Sequence, residues 1–450
     1  MIISDMKAGQ MAPVKFTDEV NYNNIRRELW KATDYMYKFS LTSMSKKMNY
    51  LANNPLPDEE RDVPDVLVMK PSEIIEPGSV DTIGYEKMRI MAKRLSAIFA
   101  AYPQLYDTSV NIYAQNSILY RTTSERIRQK SLHGYAEIAV NARVKTVDGS
   151  EYSDNFYKVV SSDKELESAE LSAQITRFAD RLMEISKSKS RNEYYIGPVM
   201  YEDEMVSSIF SNIVVPLLSA RRSLRENSSL SSMLVGKRIL DGHVSIVQLT
   251  DMPSYAGVSL LGNYRYDVNG VIPAKSLSLL DKGFVRQLLC GRYPALNCLH
   301  TTGNDRFMIT YQAPGSTVVP GVLKVTADNA KSFSKMKSLL CKEAKAQGQK
   351  TAYIVRQPSG FTPCLYRVDA ATGEEELVRV SKIPTPDKRD LNHISAIAKE
   401  ESVNNMMINN VGSSMISPRS MIIERMEFTL EKPKPERDFP IPLPTTQSNH

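Results

Sequence analysis

Apolar residues at Ile25, Leu29, Ala32, Met36, Phe39, Met44, Met48 and Leu51 recur mostly at three- and four-residue steps, with Lys and Arg between them. That spacing predicts one long amphipathic helix over 21–54. Five prolines then fall between positions 55 and 78 among acidic residues; no regular helix survives them, so an extended surface excursion is expected. Helical spacing resumes over 85–102 through Met88, Met91, Leu95 and Phe99, with Pro103 just past its end. Over 108–160 the period changes from helical to two. Ala136, Ile138, Val140, Ala142 and Val144 alternate with polar residues, which predicts half-buried antiparallel strands with Asp148-Gly149 as a turn. A third helix is expected over 164–185, with Leu166, Leu171, Ile175, Phe178, Leu182 and Ile185 near one stripe.

Residues 186–192 hold no apolar side chain and mark the best domain boundary. Beyond it, 195–218 reads as a strand feeding a helix, and strand patterns dominate from Val235. Asn269-Gly270 and Asp281-Lys282-Gly283 each separate apolar segments, predicting two successive hairpins. A further helix is expected over 330–346, and strands over 351–355 and 376–380. No internal repeat is visible, and five prolines in the last 20 residues predict an extended tail. The expected fold is α+β: an N-terminal helix-and-sheet domain over 16–190, a strand-rich domain over 195–430 and a Pro-rich tail over 431–450.

Composition narrows the function. The chain has 450 residues, 42% of them apolar, enough for two large domains. Its net charge of +6 is a weak field over that size, so nucleic acid is not an expected partner. No apolar run approaches the ~18 residues of a membrane helix, and residues 1–20 lack a signal-like apolar stretch; a cytoplasmic protein is expected. There are only five His and four Cys. Cys290, Cys298, Cys341 and Cys364 have irregular spacing and read as four free core thiols. Cys298, His300 and Asp305 form the only compact trio of metal-type ligands, read as a loop thiol beside a surface imidazole. His133, His243 and His393 stand alone. No G-x-S-x-G elbow supports a serine nucleophile. Lys331, Lys335, Lys337, Lys342, Lys345 and Lys350 crowd the 330–346 helix and read as a solvated face.

Several segments carry a resemblance. GPVMYEDEMVSSIFSNIVVPLLSA (197–220), GKRIL (236–240), YDVNGVIPAKSLSLLDKGFVRQLL (266–289), TTGNDRF (301–307) and MIIERMEF (421–428) occur in this order. Together they resemble the TldD/PmbA family, also described as metalloprotease TldD/E and, in older usage, as modulators of DNA gyrase. The likeness spans about 16–430, and RRELWKATDYMYKFSLTSMSKKMNYLANN resembles the first domain of one family branch. Members usually carry residues ahead of that helix, so the resemblance implies an opening segment upstream, where any signal peptide would lie.

Active members hold Zn²⁺ with an H-E-x-x-x-H helix and a distant Cys, the Glu serving as general base. Aligned on the flanking G-P-V and L-S-A, Ser211 and Pro216 stand at the two His positions and Asn212 at the Glu; Val411-Gly412 stands where Cys-Gly is usual. An amide cannot take a proton near neutrality, and Pro and Val carry no donor atom. The resemblance therefore implies a member without catalytic residues or a bound metal, with Ile209, Ile213 and Leu217 turned to the core. Asn304 and Arg306 fall where relatives have a Gly-Asn-Gly-Arg-like segment beside the cleft. They are the candidates for holding a peptide backbone or carboxylate. The implied role is a non-catalytic subunit that binds peptide or unfolded polypeptide, in a homo- or heterodimer with a TldD/PmbA-type chain. The alternatives are an active hydrolase through an unrecognised site and direct modulation of DNA gyrase.

Overall fold

A computed structural model describes residues 22–55, 66–78, 84–220, 234–294, 297–308 and 315–433. The first helix, α1 (Tyr22–Asn53), forms where the apolar spacing places it. Its apolar residues remain largely exposed, Trp30 at 70% and Met48 at 59%. The proline-rich excursion contributes a short strand, β1 (Ser72–Ile75). Helix α2 (Tyr85–Ala97) runs into a 3₁₀ turn at Ile98–Ala101, and three long strands follow: β2 (Leu105–Thr122), β3 (Ile127–Lys145) and β4 (Glu151–Val160).

Strand β3 is the spine of this sheet. One of its edges pairs with β2, antiparallel. The other is shared, by β1 running parallel at Ile127 to Lys130 and by β4 running antiparallel at Ala136 to Lys145. The alternating residues Ala136, Ile138, Val140, Ala142 and Val144 all point into the core, as their period requires. A short helix, α3 (Asp163–Leu166), precedes α4 (Ala169–Lys187). Ser168 caps α4 by accepting the Leu171 N–H at 3.2 Å. Met91 and Leu95 of α2, Phe99 beyond it, and Leu171, Ile175, Phe178 and Leu182 of α4 close the core over the sheet.

The second domain begins within the apolar-free segment. There β5 (Lys189–Ser190) pairs with a later strand, so the linker is stitched into the next sheet. After it come β6 (Glu193–Asp203), helix α5 (Glu204–Ile209), a π-helical turn (Phe210–Val214) and helix α6 (Val215–Leu218). The strands β7 (Val244–Leu249), β8 (Ser254–Tyr255), β9 (Val258–Ser259), β10 (Ser276–Asp281), β11 (Phe284–Val285), β12 (Asp305–Met308), β13 (Gly315–Val318) and β14 (Val322–Ala327) lead to α7 (Phe333–Ala346). The last strands are β15 (Thr351–Gln357), β16 (Cys364–Asp369), β17 (Glu375–Arg379), β18 (Ile394–Ile397), β19 (Glu401–Ile408), β20 (Val411–Pro418) and β21 (Ser420–Leu430).

Two sheets dominate, ordered β11-β10-β7-β14-β20-β19 and β18-β21-β6-β15-β16-β17-β5. Their facing side chains enclose α5, the π turn and α6 in the main core, with Tyr201, Phe210, Ile246, Leu323, Tyr353 and Ile423 among its members. Helix α7 covers the far side of the seven-stranded sheet through Met336, Leu340 and Ala344. Its Lys335, Lys342 and Lys345 face solvent, and Lys337 pairs with Glu375 at 2.9 Å. The α+β reading and the principal helices and strands agree with the structure.

Three expectations differ. The Asp281-Lys282-Gly283 turn joins β10 to β11, but Asn269-Gly270 joins no ladder. Asp267 Oδ1 accepts the N–H groups of Asn269 (2.8 Å) and Val271 (3.0 Å), closing the turn locally. The flanking backbone is spent on the first domain, where Arg121 donates to Val268 O at 2.6 Å and Gln129 to Asp267 O at 3.2 Å. Second, the cysteines are not four free thiols: Cys290 and Cys298 are disulfide-bonded with Cα atoms 6.0 Å apart, and Cys341 and Cys364 are free. Third, the apolar stripe of the α5–α6 helix is displaced by one residue, as described below. The expected extended tail beyond residue 433 lies outside the described residues.

The disulfide sets a countable outcome. Thiol titration of the denatured, unreduced chain should find two reactive groups, rising to four after reduction. Four before reduction would remove the bond.

Candidate functional site

The segment bearing Ser211, Asn212 and Pro216 is a helix interrupted by a π turn. Pro216 has no N–H to give, and just before it the Val215 N–H reaches back five residues to Phe210 O. The wider turn inserts a residue per repeat and rotates the helix. Phe210, Val214 and Leu218 consequently take the fully buried positions, while Ile213 and Leu217 are only partly buried against the same core. Ile209 remains buried, so the expected packing of this helix holds with a shifted face. Asn212 and Pro216 are exposed, and half-buried Ser211 donates its hydroxyl to Ser208 O at 3.1 Å.

The helix meets the closing β19–β20 hairpin one turn earlier, at Ser207. There Asn404 Nδ2 donates to Ser207 Oγ at 2.6 Å, and Ser207 Oγ lies 2.9 Å from Ser417 Oγ. All three residues are buried, with at most 2% exposed. Val411 starts β20, six residues before Ser417, about 20 Å along an extended strand. It follows a two-residue turn whose Asn409 and Asn410 both have positive φ, the pairing that suits a tight hairpin. The structure thus separates Val411 from the point where helix and hairpin lock.

Val411 instead borders a cavity of about 270 Å³ between the two domains, together with Arg306, Tyr264, Asp267, Gln129 and His133. Arg306 donates from Nη1 to Pro320 O (3.0 Å) and Gly412 O (2.8 Å), and its guanidinium lies over the Tyr264 ring, 4.4 Å from the centroid. It has no carboxylate partner among the described residues. Burial pushes its pKa down to about 10, so it stays charged near neutrality. Asn304, the other candidate, has no exposed surface. Its amide donates to Gln248 Oε1 (2.7 Å) and Tyr264 OH (3.0 Å) and accepts from Thr302 (2.7 Å). Asn304 therefore fixes Tyr264, and Tyr264 stacks on Arg306.

The first domain closes the cavity. His133 lies 3.1 Å from Ser131 Oγ and 5.6 Å from the Phe307 ring, and burial followed by the Arg306 charge lowers its pKa. Asp267 is pushed up to about 7 by burial, with Asp305 adding to the shift. The Cys298, His300 and Asp305 trio does not converge. Cys298 is in the disulfide, His300 is exposed, and buried Asp305 accepts from Asn269 Nδ2 (3.0 Å) and Arg292 N (2.7 Å). Among the described residues no group of three or more His, Cys, Asp and Glu could hold a metal ion. Gln129, Asn263 and Asp267 carried no signal in the sequence beyond the Asp-x-Asn-Gly turn.

Glu204 opens α5 and accepts the Gly360 N–H at 2.7 Å, yet burial raises its pKa to about 7 despite that bond and nearby Lys158. A carboxyl with a raised folded pKa is neutral in both states below pH ~4.5. Between there and pH ~7 the unfolded chain ionises first, so its contribution to stability is lost as pH rises. In denaturant unfolding, Glu204→Gln should match the parent's stability at pH 4.5 and exceed it at pH 8, by up to about 3 kcal/mol. Arg306→Ala should lower the midpoint at both pH values, since loss of the donor to Gly412 O costs about 1–3 kcal/mol.

Residues 194–345 match the family model described as PmbA/TldA metallopeptidase C-terminal domain. No curated protein matches the chain. Among solved structures, TldE from Thermococcus kodakarensis is similar over 87% of this chain and 85% of its own, at 13% identity and a TM-score of 0.55. A proposed modulator of a DNA gyrase from Thermotoga maritima is similar over 86% and 83%, at 14% identity and a TM-score of 0.54. These two likenesses speak for the fold.

Proposed function

The chain belongs to the TldD/PmbA family, and from that premise we propose that it is a non-catalytic, peptide-binding subunit that works beside a zinc-bearing family member. The observation that carries the reading is the chemistry of four positions. Ser211, Asn212, Pro216 and Val411 offer one hydroxyl, one amide and two side chains with no donor atom, where His, Glu, His and Cys would be needed. These residues do not fit a zinc ion.

Three features support the remainder. The contact between helix and hairpin is made by neutral hydroxyls and an amide, which gives it a purely structural use. The two-domain fold resembles that of TldE from Thermococcus kodakarensis. The interdomain cavity keeps a charged Arg306 on its wall, able to receive a carbonyl or carboxylate. No helix among the described residues is long and apolar enough to cross a membrane. The thiol count bears on compartment: a bond that survives isolation favours an oxidising compartment over the cytoplasm.

The test is reconstitution. The purified chain alone should cleave no unfolded polypeptide, with or without chelator. Mixed with a family member carrying an intact H-E-x-x-x-H helix, it should co-elute with that subunit and raise its chelator-sensitive cleavage. Chelator-sensitive cleavage by the chain alone would overturn the reading.

A further inference from the structure

The cavity between the domains holds three oxygen acceptors without partners. Gln129 Oε1, Asn263 Oδ1 and Asp267 Oδ2 are buried and have no hydrogen bond within the protein, and all three residues line the same space. In two of them the other side-chain polar atom is committed. Gln129 Nε2 donates to Asp267 O, and Asp267 Oδ1 receives two backbone N–H groups. Gln129 and Asp267 are 4% and 2% exposed, so neither oxygen is satisfied by bulk solvent. An unpaired buried acceptor costs about 1–3 kcal/mol, so three on one cavity wall favour an occupant rich in hydrogen-bond donors.

We propose that this cavity recognises the free amino terminus of a peptide, the primary ammonium donating to Gln129, Asn263 and Asp267 while Arg306 receives a nearby main-chain carbonyl. An ammonium carries three N–H donors, matching the orphan oxygens in number, and a positive charge that favours the ionised form of the Asp267 carboxyl against the burial that pushes it up. A hard cation such as Ca²⁺ takes about six to eight oxygens, and three are offered here. The cavity, about 270 Å³, lies just below the usual range for small-molecule sites and suits the end of a chain rather than a long internal segment. Glu76, on the same wall, accepts the Leu132 N–H at Oε2 and adds a second carboxylate to the lining.

The inference rests on the peptide-binding reading, and one experiment separates them. Calorimetric titration of the full chain compares Ala-Ala-Ala-amide with its N-acetylated form. The free-amine peptide should bind, and acetylation should weaken it by about tenfold or more. Asp267→Asn, which keeps the Oδ1 acceptor of the turn, and Asn263→Ala, at a half-exposed position, should each weaken the free-amine peptide while leaving the acetylated one unchanged. Circular dichroism checks their folding, and Asn263→Ala carries the test if Asp267→Asn does not fold. Equal binding of both peptides overturns the amino-terminus site and leaves peptide binding standing. Binding of neither overturns both, and stabilisation by NaCl or KCl in place of the peptide overturns the inference in favour of a metal cation.

Discussion

Burial of the α5–α6 helix between two sheets is the constraint on which the second domain depends. Two six- and seven-stranded sheets face one another, and the space between them is filled by this one helix. Its polar backbone and hydroxyls must then be satisfied inside the core, because an unpaired buried group is costly. The chain of hydrogen bonds from Asn404 to Ser207 to Ser417 does this where helix and closing hairpin share polar atoms. Such a contact asks for small neutral groups. In this chain Ser207, Asn404 and Ser417 seat the helix through neutral groups alone.

The second dependency is the seating of the first domain on the second. Arg292 joins them by donating to Leu67 O (3.1 Å) and to Glu125 (2.6 Å), while its own N–H is held by Asp305. The Cys290–Cys298 bond closes the loop that carries Arg292. Arg121 and Gln129 add bonds to the backbone of Val268 and Asp267. Together these fix the β2–β3 end of the first sheet over Arg306 and Tyr264. The cavity is a product of that docking, which is why its wall draws on residues more than a hundred positions apart.

The sequence was most legible where one periodicity ruled. Ala136 to Val144 announced β3 because every second residue faces one core, and the helix expected over 330–346 forms as α7, which buries Met336, Leu340 and Ala344. Ser211, Asn212 and Pro216 were found through their segment's resemblance, and the structure set them on the helix where expected. What stayed hidden was non-local. The one-residue rotation of the buried stripe follows from a π turn beside Pro216, which a fixed helical period cannot encode. Asn269-Gly270 signals a turn, but its flanks are claimed by Arg121 and Gln129 from the other domain. Cys290 and Cys298 looked unrelated because seven intervening residues carry no pairing signal. Gln129, Asn263 and Asp267 are ordinary polar residues until the fold leaves one oxygen of each unpaired.

The proposal that the chain keeps a TldD/PmbA-like fold without zinc chemistry meets its most direct test in zinc stoichiometry. Elemental mass spectrometry on the full chain, purified without chelator and dialysed against zinc, should find far less than one zinc per chain. One tightly held zinc per chain, lost on mutation of residues in the second domain, would contradict the account.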